Sequence, residues 1–139
     1  MPNEIDWNAL LSEAKRVRQN AYAPYSRFQV GAAVLTESGA IYAGCNVENA
    51  SFGGTICAER NAITTAIAAG EDSILALALF TDTDAPTPPC GMCRQVMFEF
   101  GRGTVVRSYG ANAQFIETTT EALLPAAFDS DAFMNPNKR

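Results

Sequence analysis

Three cysteines stand in two short motifs whose spacing could support metal or redox chemistry. Cys57 is followed two residues later by Glu59, and Cys90 and Cys93 form a Cys-x-x-Cys pair. Residues three apart share one face of a helix, so both thiols of the pair can reach one ion. Taken alone, such a pair is more often a structural zinc site or a redox motif than a catalytic centre.

The absence of histidine restricts the proton chemistry that this chain can perform. With no histidine in the sequence, Ser-His-Asp triads, Cys-His dyads and His-Glu-x-x-His metal sites are excluded. Proton transfer must then be performed by Asp, Glu, Lys, Tyr or a metal-activated water. Glu59 is the candidate nearest to a cysteine, although alone it could equally be a solvated helix residue.

Each cysteine motif is predicted to open a helix, where N–H groups and the helix dipole favour a thiolate. Three sulfur ligands at about 2.3 Å suit zinc and leave its fourth position open, which is typical of a catalytic site. Cys45 could instead supply a fourth sulfur and close the site, or it could be a small core residue.

Two arginines adjoin these motifs, Arg60 beside Glu59 and Arg94 beside Cys93. Three thiolates and one Zn²⁺ sum to an excess negative charge, which these guanidinium groups and the helix N-termini could offset. Arg60 alone could equally be a surface partner of Glu59.

The 139 residues, 47% of them hydrophobic, are enough for one domain, which we predict to span residues 1–139. A net charge of −5 disfavours nucleic acid polymers as partners. The longest apolar run, residues 74–80, is too short to span a membrane, and the N-terminus has no features of a signal peptide. We therefore expect a cytoplasmic protein.

Hydrophobic periodicity predicts the elements that position the motifs. Helices are expected over residues 6–19, 57–69 and 90–100, with Asp6 as an N-cap and a further short helix from Thr120. Strands are expected over residues 28–36 and 41–47, paired as a hairpin, and over 74–80, 104–107 and 114–117. The predicted fold is α/β: a three-layer α/β/α sandwich around a mixed sheet of about five strands.

The motifs resemble those of the zinc-dependent cytidine deaminases, in their short homotetrameric branch. The likeness covers about residues 21–128 and rests on five segments, at 23–33, 44–50, 57–60, 89–95 and 123–128. The resemblance implies one Zn²⁺ per subunit on Cys57, Cys90 and Cys93, with Glu59 as the proton shuttle.

The same resemblance implies a substrate site made of seven residues. Phe28 would pack on the pyrimidine, Asn46 and Glu48 would hydrogen-bond the ribose 3′-hydroxyl, and Ala58 would present its backbone to the base. Ala50 and Phe52 would lie in the same site, although Phe52 stands where this branch commonly has Tyr. Phe128 would reach into a neighbouring subunit. Alone, Phe28 and Phe128 would more often be core residues.

The implied activity is the zinc-dependent hydrolytic deamination of cytidine and deoxycytidine to uridine and deoxyuridine, in pyrimidine salvage. The implied partners are a small nucleoside and three further copies of the chain, with shared active sites and no membrane. Two alternatives stay open at this point: a deaminase of another small aminopyrimidine nucleoside, and a non-catalytic zinc-stabilised interaction domain. Glu59 separates the catalytic interpretations from the non-catalytic one, because a structural zinc site has no use for a carboxylate beside the metal.

Overall fold

A five-stranded mixed sheet forms the centre of the protein, which the computed structural model describes at residues 4–132 and 134. The ends of the predicted domain, residues 1–3, 133 and 135–139, lie outside the described residues. The helices and strands are α1 (Trp7–Arg18), β1 (Val30–Thr36), β2 (Ile41–Cys45), α2 (Ala58–Ala68), β3 (Ile74–Thr81), α3 (Gly91–Phe100), β4 (Val105–Tyr109), β5 (Phe115–Thr119) and α4 (Thr120–Leu123).

The strand order is β2-β1-β3-β4-β5. β3 and β4 run parallel, whereas the other neighbouring pairs are antiparallel. The predicted hairpin is the β1–β2 pair, which turns at Gly39 with a φ of 91°. Only glycine adopts such a φ at no steric cost. The mixed sheet and the α/β class are thus as predicted.

Helices cover both faces of the sheet, which confirms the three-layer arrangement. On one face, α1 buries Leu10 and Ala14 against the inward side of β1 and β3. On the other face, α2 and α3 pack against the alternate residues of the same strands. Because successive side chains of a strand point to opposite faces, a strand covered on both sides must be apolar throughout. β3 is apolar over residues 74–80, and seven of its eight residues are buried.

The ends of α1 are defined by local side chains. The Asp6 carboxylate accepts a hydrogen bond from the Ala9 N–H at 3.1 Å, as an N-cap does. Lys15, Arg16 and Arg18 occupy the last turn, where cations are favoured by the helix dipole. The helix predicted from residues 6–19 is therefore confirmed.

Gly44 brings β2 unusually close to α2. A Cβ built at this position would lie 2.3 Å from the Ala62 nitrogen and 2.9 Å from the Ala58 carbonyl oxygen. Both are backbone atoms, so no side chain can move aside. The missing side chain lets α2 lie directly on the strand, and this contact sets the height of the helix N-terminus above the sheet.

Several predicted strand ends differ from the observed ones. The first strand begins at Val30 rather than residue 28, and the second ends at Cys45 rather than residue 47. Beyond Cys45 the chain leaves the hairpin, and Val47 makes isolated bridges to Tyr22 and Ile56. β4 extends to Tyr109 and β5 to Thr119, both past the predicted ends. In each case the length of the strand depends on the neighbouring strand with which it pairs, and hydrophobic periodicity carries no information about that neighbour.

None of the helices in the described part of the chain is both long and apolar enough to cross a membrane.

Candidate active site

The N-termini of α2 and α3 converge on one point beside the sheet. Cys57 is the N-cap residue of α2, Cys90 is the N-cap residue of α3, and Cys93 lies in the first turn of α3. Their three Sγ atoms lie within 4.8 Å of one another, and those of Cys57 and Cys90 are 3.9 Å apart. Two sequence motifs therefore form a single sulfur cluster.

The cluster fits a zinc ion. Tetrahedral zinc with Zn–S bonds of about 2.3 Å requires sulfurs about 3.8 Å apart, close to the Cys57–Cys90 separation. Thiolates are the soft donors that zinc accepts, and three of them leave one coordination position open. Cys45 is not part of the cluster, and burial raises the pKa of its thiol. The closed four-cysteine site considered from the sequence is therefore not formed among the described residues.

The neighbouring thiols of Cys57 and Cys93 have pKa values that shift in opposite directions. Hydrogen bonds from Cys93 and then Arg60 lower the pKa of Cys57 to about 5, against the opposing effect of burial. The pKa of Cys93 is raised, because its thiol donates to Cys57 and because it is buried. Such proximity favours one thiolate at neutral pH and makes a cation attractive at this point.

The two arginines predicted beside the cluster have different contacts. Arg60 donates from Nη2 to the Cys57 Sγ at 3.3 Å, in line with the charge-offsetting role expected for it. The hydrogen bonds of Arg94 go to backbone carbonyl oxygens and not to sulfur. Its guanidinium donates to the carbonyl oxygens of Pro89 at 2.8 Å and Leu123 at 3.1 Å, so it holds the segment just before Cys90 against the end of α4.

Glu59 is a buried carboxyl in the first turn of α2, only 4% exposed. Burial raises its pKa to about 7, with the negative charge of Cys57 acting in the same direction. A carboxyl with a pKa near neutrality can both accept and release a proton in water at ordinary pH. The residue predicted to move protons is thus next to the sulfur cluster and out of bulk solvent.

A cavity of about 280 Å³ opens onto the cluster and Glu59. Its lining contains six of the residues singled out from the sequence besides Glu59: Phe28, Asn46, Glu48, Cys57, Ala58 and Cys90. Seven others were not predicted: Ser26, Val30, Thr55, Leu79, Thr81, Thr87 and Pro88. Pro88 and Thr87 lie two and three residues before Cys90, so their position in the chain was an available signal. The others are brought in by folding.

Asn46 and Glu48 form part of the cavity wall opposite the helix N-termini. The buried Asn46 amide accepts from the Val30 N–H and donates to the Phe28 carbonyl, each at 2.8 Å. One N–H and one lone pair of the amide stay available to a ligand. The Glu48 carboxylate accepts from the Tyr25 N–H at 2.9 Å and from Ser26. Both side chains are therefore oriented before any ligand binds.

Three predicted substrate residues do not line this cavity. Ala50 and Phe52 lie in the exposed loop before α2, where the Phe52 ring meets the Tyr25 ring edge-on at 5.5 Å. Phe128 is 70% exposed, and its carbonyl oxygen accepts from the Gln95 side chain at 2.9 Å. Their role in substrate binding stays a prediction.

Known proteins share both the fold and the sequence pattern. The family described as "Cytidine and deoxycytidylate deaminase zinc-binding region" matches residues 6–109. A cytidine deaminase of Sporosarcina psychrophila is 46% identical over 128 residues, which cover 91% of this chain and 94% of that protein. One of Mycobacterium tuberculosis is 39% identical, over 92% of this chain and 93% of that one.

The crystal structure of a cytidine deaminase from Burkholderia pseudomallei has a TM-score of 0.86 and 45% identity, covering 89% of this chain and 100% of that chain. The structure of the Mycobacterium tuberculosis enzyme has a TM-score of 0.80 and 38% identity, covering 91% and 99%. The three-cysteine cluster accordingly binds one Zn²⁺ per chain. By sequence along most of its length, and by fold, this chain belongs to the cytidine and deoxycytidylate deaminase family.

Proposed function

We propose that this protein is an enzyme that hydrolyses the 4-amino group of cytidine and deoxycytidine to give uridine or deoxyuridine and ammonia. The observation that carries the proposal is the buried Glu59 carboxyl, which lines the same cavity as Cys57 and Cys90. A structural zinc site needs no cavity and no buried acid. The non-catalytic alternative is therefore disfavoured.

The reaction replaces the C4–N bond by a C4–O bond, with water as the source of oxygen. When bound, zinc acts as a Lewis acid that makes a water molecule a better nucleophile. Glu59 accepts one proton from the attacking water and passes it to ring N3. It then takes the second proton from the hydroxyl now on C4 and delivers it to the amino nitrogen, as the C4–N bond breaks and ammonia leaves. Its burial keeps bulk water from competing for these transfers.

The remaining wall residues suit a nucleoside. The Phe28 ring offers an apolar surface to the pyrimidine. The remaining N–H and lone pair of the Asn46 amide, together with the Glu48 carboxylate, suit the ribose 3′-hydroxyl. Ala58, at the first position of α2, has a backbone N–H with no partner inside the helix, which suits a base carbonyl. These contacts favour a ribose-bearing substrate over a free base.

We further infer that the enzyme is a homotetramer whose subunits share active sites. Large apolar side chains are exposed on the described part of the chain, among them Tyr22, Phe52 and Phe128. Exposed large apolar side chains are typical of surfaces that pair with another protein where they form a contiguous patch. The ring of Phe128 is exposed and does not line its own chain's cavity, and the family resemblance implies that it reaches into a neighbouring subunit's site. A cytoplasmic location stays a prediction from the sequence.

A direct assay tests the activity. Purified protein is mixed in turn with cytidine, deoxycytidine, other aminopyrimidine nucleosides, cytosine and cytidine monophosphate, and both the loss of the pyrimidine chromophore and the release of ammonia are followed. We expect turnover of the two nucleosides that disappears with a zinc chelator and returns with added zinc. Turnover of a different aminopyrimidine nucleoside alone would favour that alternative, and no turnover with zinc bound would favour the non-catalytic one.

A further inference from the structure

Ser26 lies at the centre of a hydrogen-bond group that joins two walls of the cavity. Its hydroxyl donates to Glu48 Oε2 and accepts from the Phe28 N–H at 3.0 Å. Its own N–H donates to Glu48 Oε1 at 3.2 Å. One short side chain is thereby bonded to both residues to which the proposed function assigns substrate contacts.

The backbone at this point adopts an unfavourable conformation. Arg27, between Ser26 and Phe28, has a φ of 61°, in the left-handed region that non-glycine residues rarely occupy. A conformation of this kind persists only when surrounding contacts hold it. The hydrogen bond from the Phe28 N–H to the Ser26 hydroxyl closes this turn. It directs the Phe28 ring, which lines the cavity, towards the substrate space.

The Glu48 carboxylate depends on the same hydroxyl. The hydrogen bond from the Ser26 hydroxyl is the main cause that holds the pKa of Glu48 below its usual value. An ionised carboxylate accepts hydrogen bonds only, so Glu48 is set as an acceptor for a ligand hydroxyl. Tyr25 and Ser26 hold the carboxylate by three hydrogen bonds, and Glu48 also lines the cavity.

The Phe28 backbone is hydrogen-bonded at both its N–H and its carbonyl oxygen. Ser26 binds its N–H, and Asn46 binds its carbonyl oxygen at 2.8 Å. Because the ring is partly exposed and not packed in the core, its position depends on this backbone more than on neighbouring side chains. Loss of the Ser26 hydroxyl would therefore affect Phe28 and Glu48 together.

We propose that Ser26 is a positioning residue for nucleoside binding, whose hydroxyl orients the Glu48 carboxylate and the Phe28 backbone in the cavity. It acts through these two residues and not on the reacting atoms. The proposal rests on the proposed function, since that function assigns Glu48 to the ribose 3′-hydroxyl and Phe28 to the base. The competing role is purely structural, in which Ser26 only stabilises its own turn.

The test compares Ser26→Ala with Ser26→Thr, which keeps the hydroxyl, and with Ser12→Ala. Ser12 is on the exposed side of α1, away from the cavity, so that variant controls for loss of a surface hydroxyl. Titration calorimetry measures the binding of uridine and 3′-deoxyuridine, and steady-state kinetics measure cytidine and 3′-deoxycytidine. Melting temperature and zinc content are recorded for every variant.

We expect Ser26→Ala to weaken uridine binding about tenfold, as loss of a charge-assisted hydrogen bond does. KM for cytidine should rise by a similar factor while kcat stays within about twofold, because Glu59 and the zinc ligands are untouched. The loss of affinity should be smaller for the two 3′-deoxy ligands, which lack the hydroxyl that Glu48 contacts and keep only the base contact with Phe28. Ser26→Thr should restore most of the binding, and Ser12→Ala should match the unaltered protein.

An equal penalty on ligands with and without the 3′-hydroxyl would overturn the proposal, as would unchanged binding in Ser26→Ala. A lower zinc content in Ser26→Ala than in Ser12→Ala would assign Ser26 to the folding of the whole site and would also overturn it. The proposed function fails separately, if the unaltered zinc-loaded protein does not deaminate cytidine. Uridine titration still tests Ser26 in that case.

Discussion

The Sγ atoms of Cys57 and Cys90 lie 3.9 Å apart although 33 residues separate them in the chain. Each is the N-cap of its helix, so the pair exists only because α2 and α3, which follow β2 and β3, pack on the same face of the sheet. One sulfur alone at a helix N-terminus is a common feature, whereas two such termini meeting with a third sulfur between them provide a metal site with an open position.

Replacing Cys90 with Ala should abolish zinc binding, because two sulfurs do not hold the ion tightly enough in this geometry. Cys45→Ala should leave one zinc per chain, since Cys45 lies outside the cluster. Elemental analysis gives the stoichiometry, and X-ray absorption at the zinc edge gives the ligands. A four-sulfur shell, or zinc loss in Cys45→Ala, would contradict the three-sulfur site.

Glu59→Gln keeps the shape of the side chain and removes its ability to accept a proton. Since proton transfer by a positioned group is usually worth about 10²–10⁴-fold, kcat for cytidine should fall by that range while zinc stays bound. Glu37→Gln, on the exposed β1–β2 turn, is the matched control and should retain full turnover. Near-normal turnover in Glu59→Gln would contradict the assignment of Glu59 as the proton shuttle.

Gly44→Ala should destabilise the fold and displace α2. The new Cβ would meet the backbone of Ala58 and Ala62, so the helix must move, and overpacking of this kind costs about 1–3 kcal/mol. Urea unfolding measures the loss, and zinc affinity reports the shift of Cys57. Gly53→Ala is the control, because a Cβ there meets nothing within 4 Å and its φ is not in the left-handed region. Equal stability of the two variants would contradict the close contact.

Tyr42→Phe should lower the melting temperature at neutral pH and have less effect in acid. The Ser38 hydroxyl and then the Tyr42 hydroxyl hold the pKa of Glu71 below its usual 4.5. A depressed carboxyl pKa contributes stability that is fully present above pH 4.5 and is lost as pH falls through the folded-state value. The difference between the variant and the unaltered protein should therefore shrink below pH 4.5.

Calorimetric scans across this acid range measure that difference. Tyr22→Phe, at an exposed tyrosine away from Glu71, is the control and should show no pH-dependent difference. A Tyr42→Phe effect that stays constant down to the acid unfolding region would show that Glu71 is not its cause.

Phe128→Ala should raise KM more than it lowers kcat, by an amount equivalent to roughly 0.5–1.5 kcal/mol for an aromatic contact, with zinc content unchanged. Mixing Phe128→Ala subunits with inactive Glu59→Gln subunits should restore part of the activity, because some hybrid sites then contain both intact residues. Light scattering checks that hybrids form. A fully active monomer, or no restoration in verified hybrids, would contradict shared sites.

The sequence by itself determined the helices that begin at the cysteine motifs, the hairpin and the mixed sheet. These features depend on caps, turns and apolar periods, which act within one or two turns of a helix or along one strand. The zinc ligands and Glu59 could likewise be predicted from local sequence. Their residue types and close spacing are visible in the chain, and Phe28, Asn46, Glu48 and Ala58 followed from the family motifs.

Only the tertiary structure decided which of these residues act together and in what environment. It excluded Cys45 from the cluster, directed Arg94 to carbonyl oxygens rather than to sulfur, and buried Glu59 so that its pKa rises. It also placed Ser26 on Glu48, 22 residues away. Burial and hydrogen bonding between distant residues depend on how the layers pack, and neither composition nor local period contains that information.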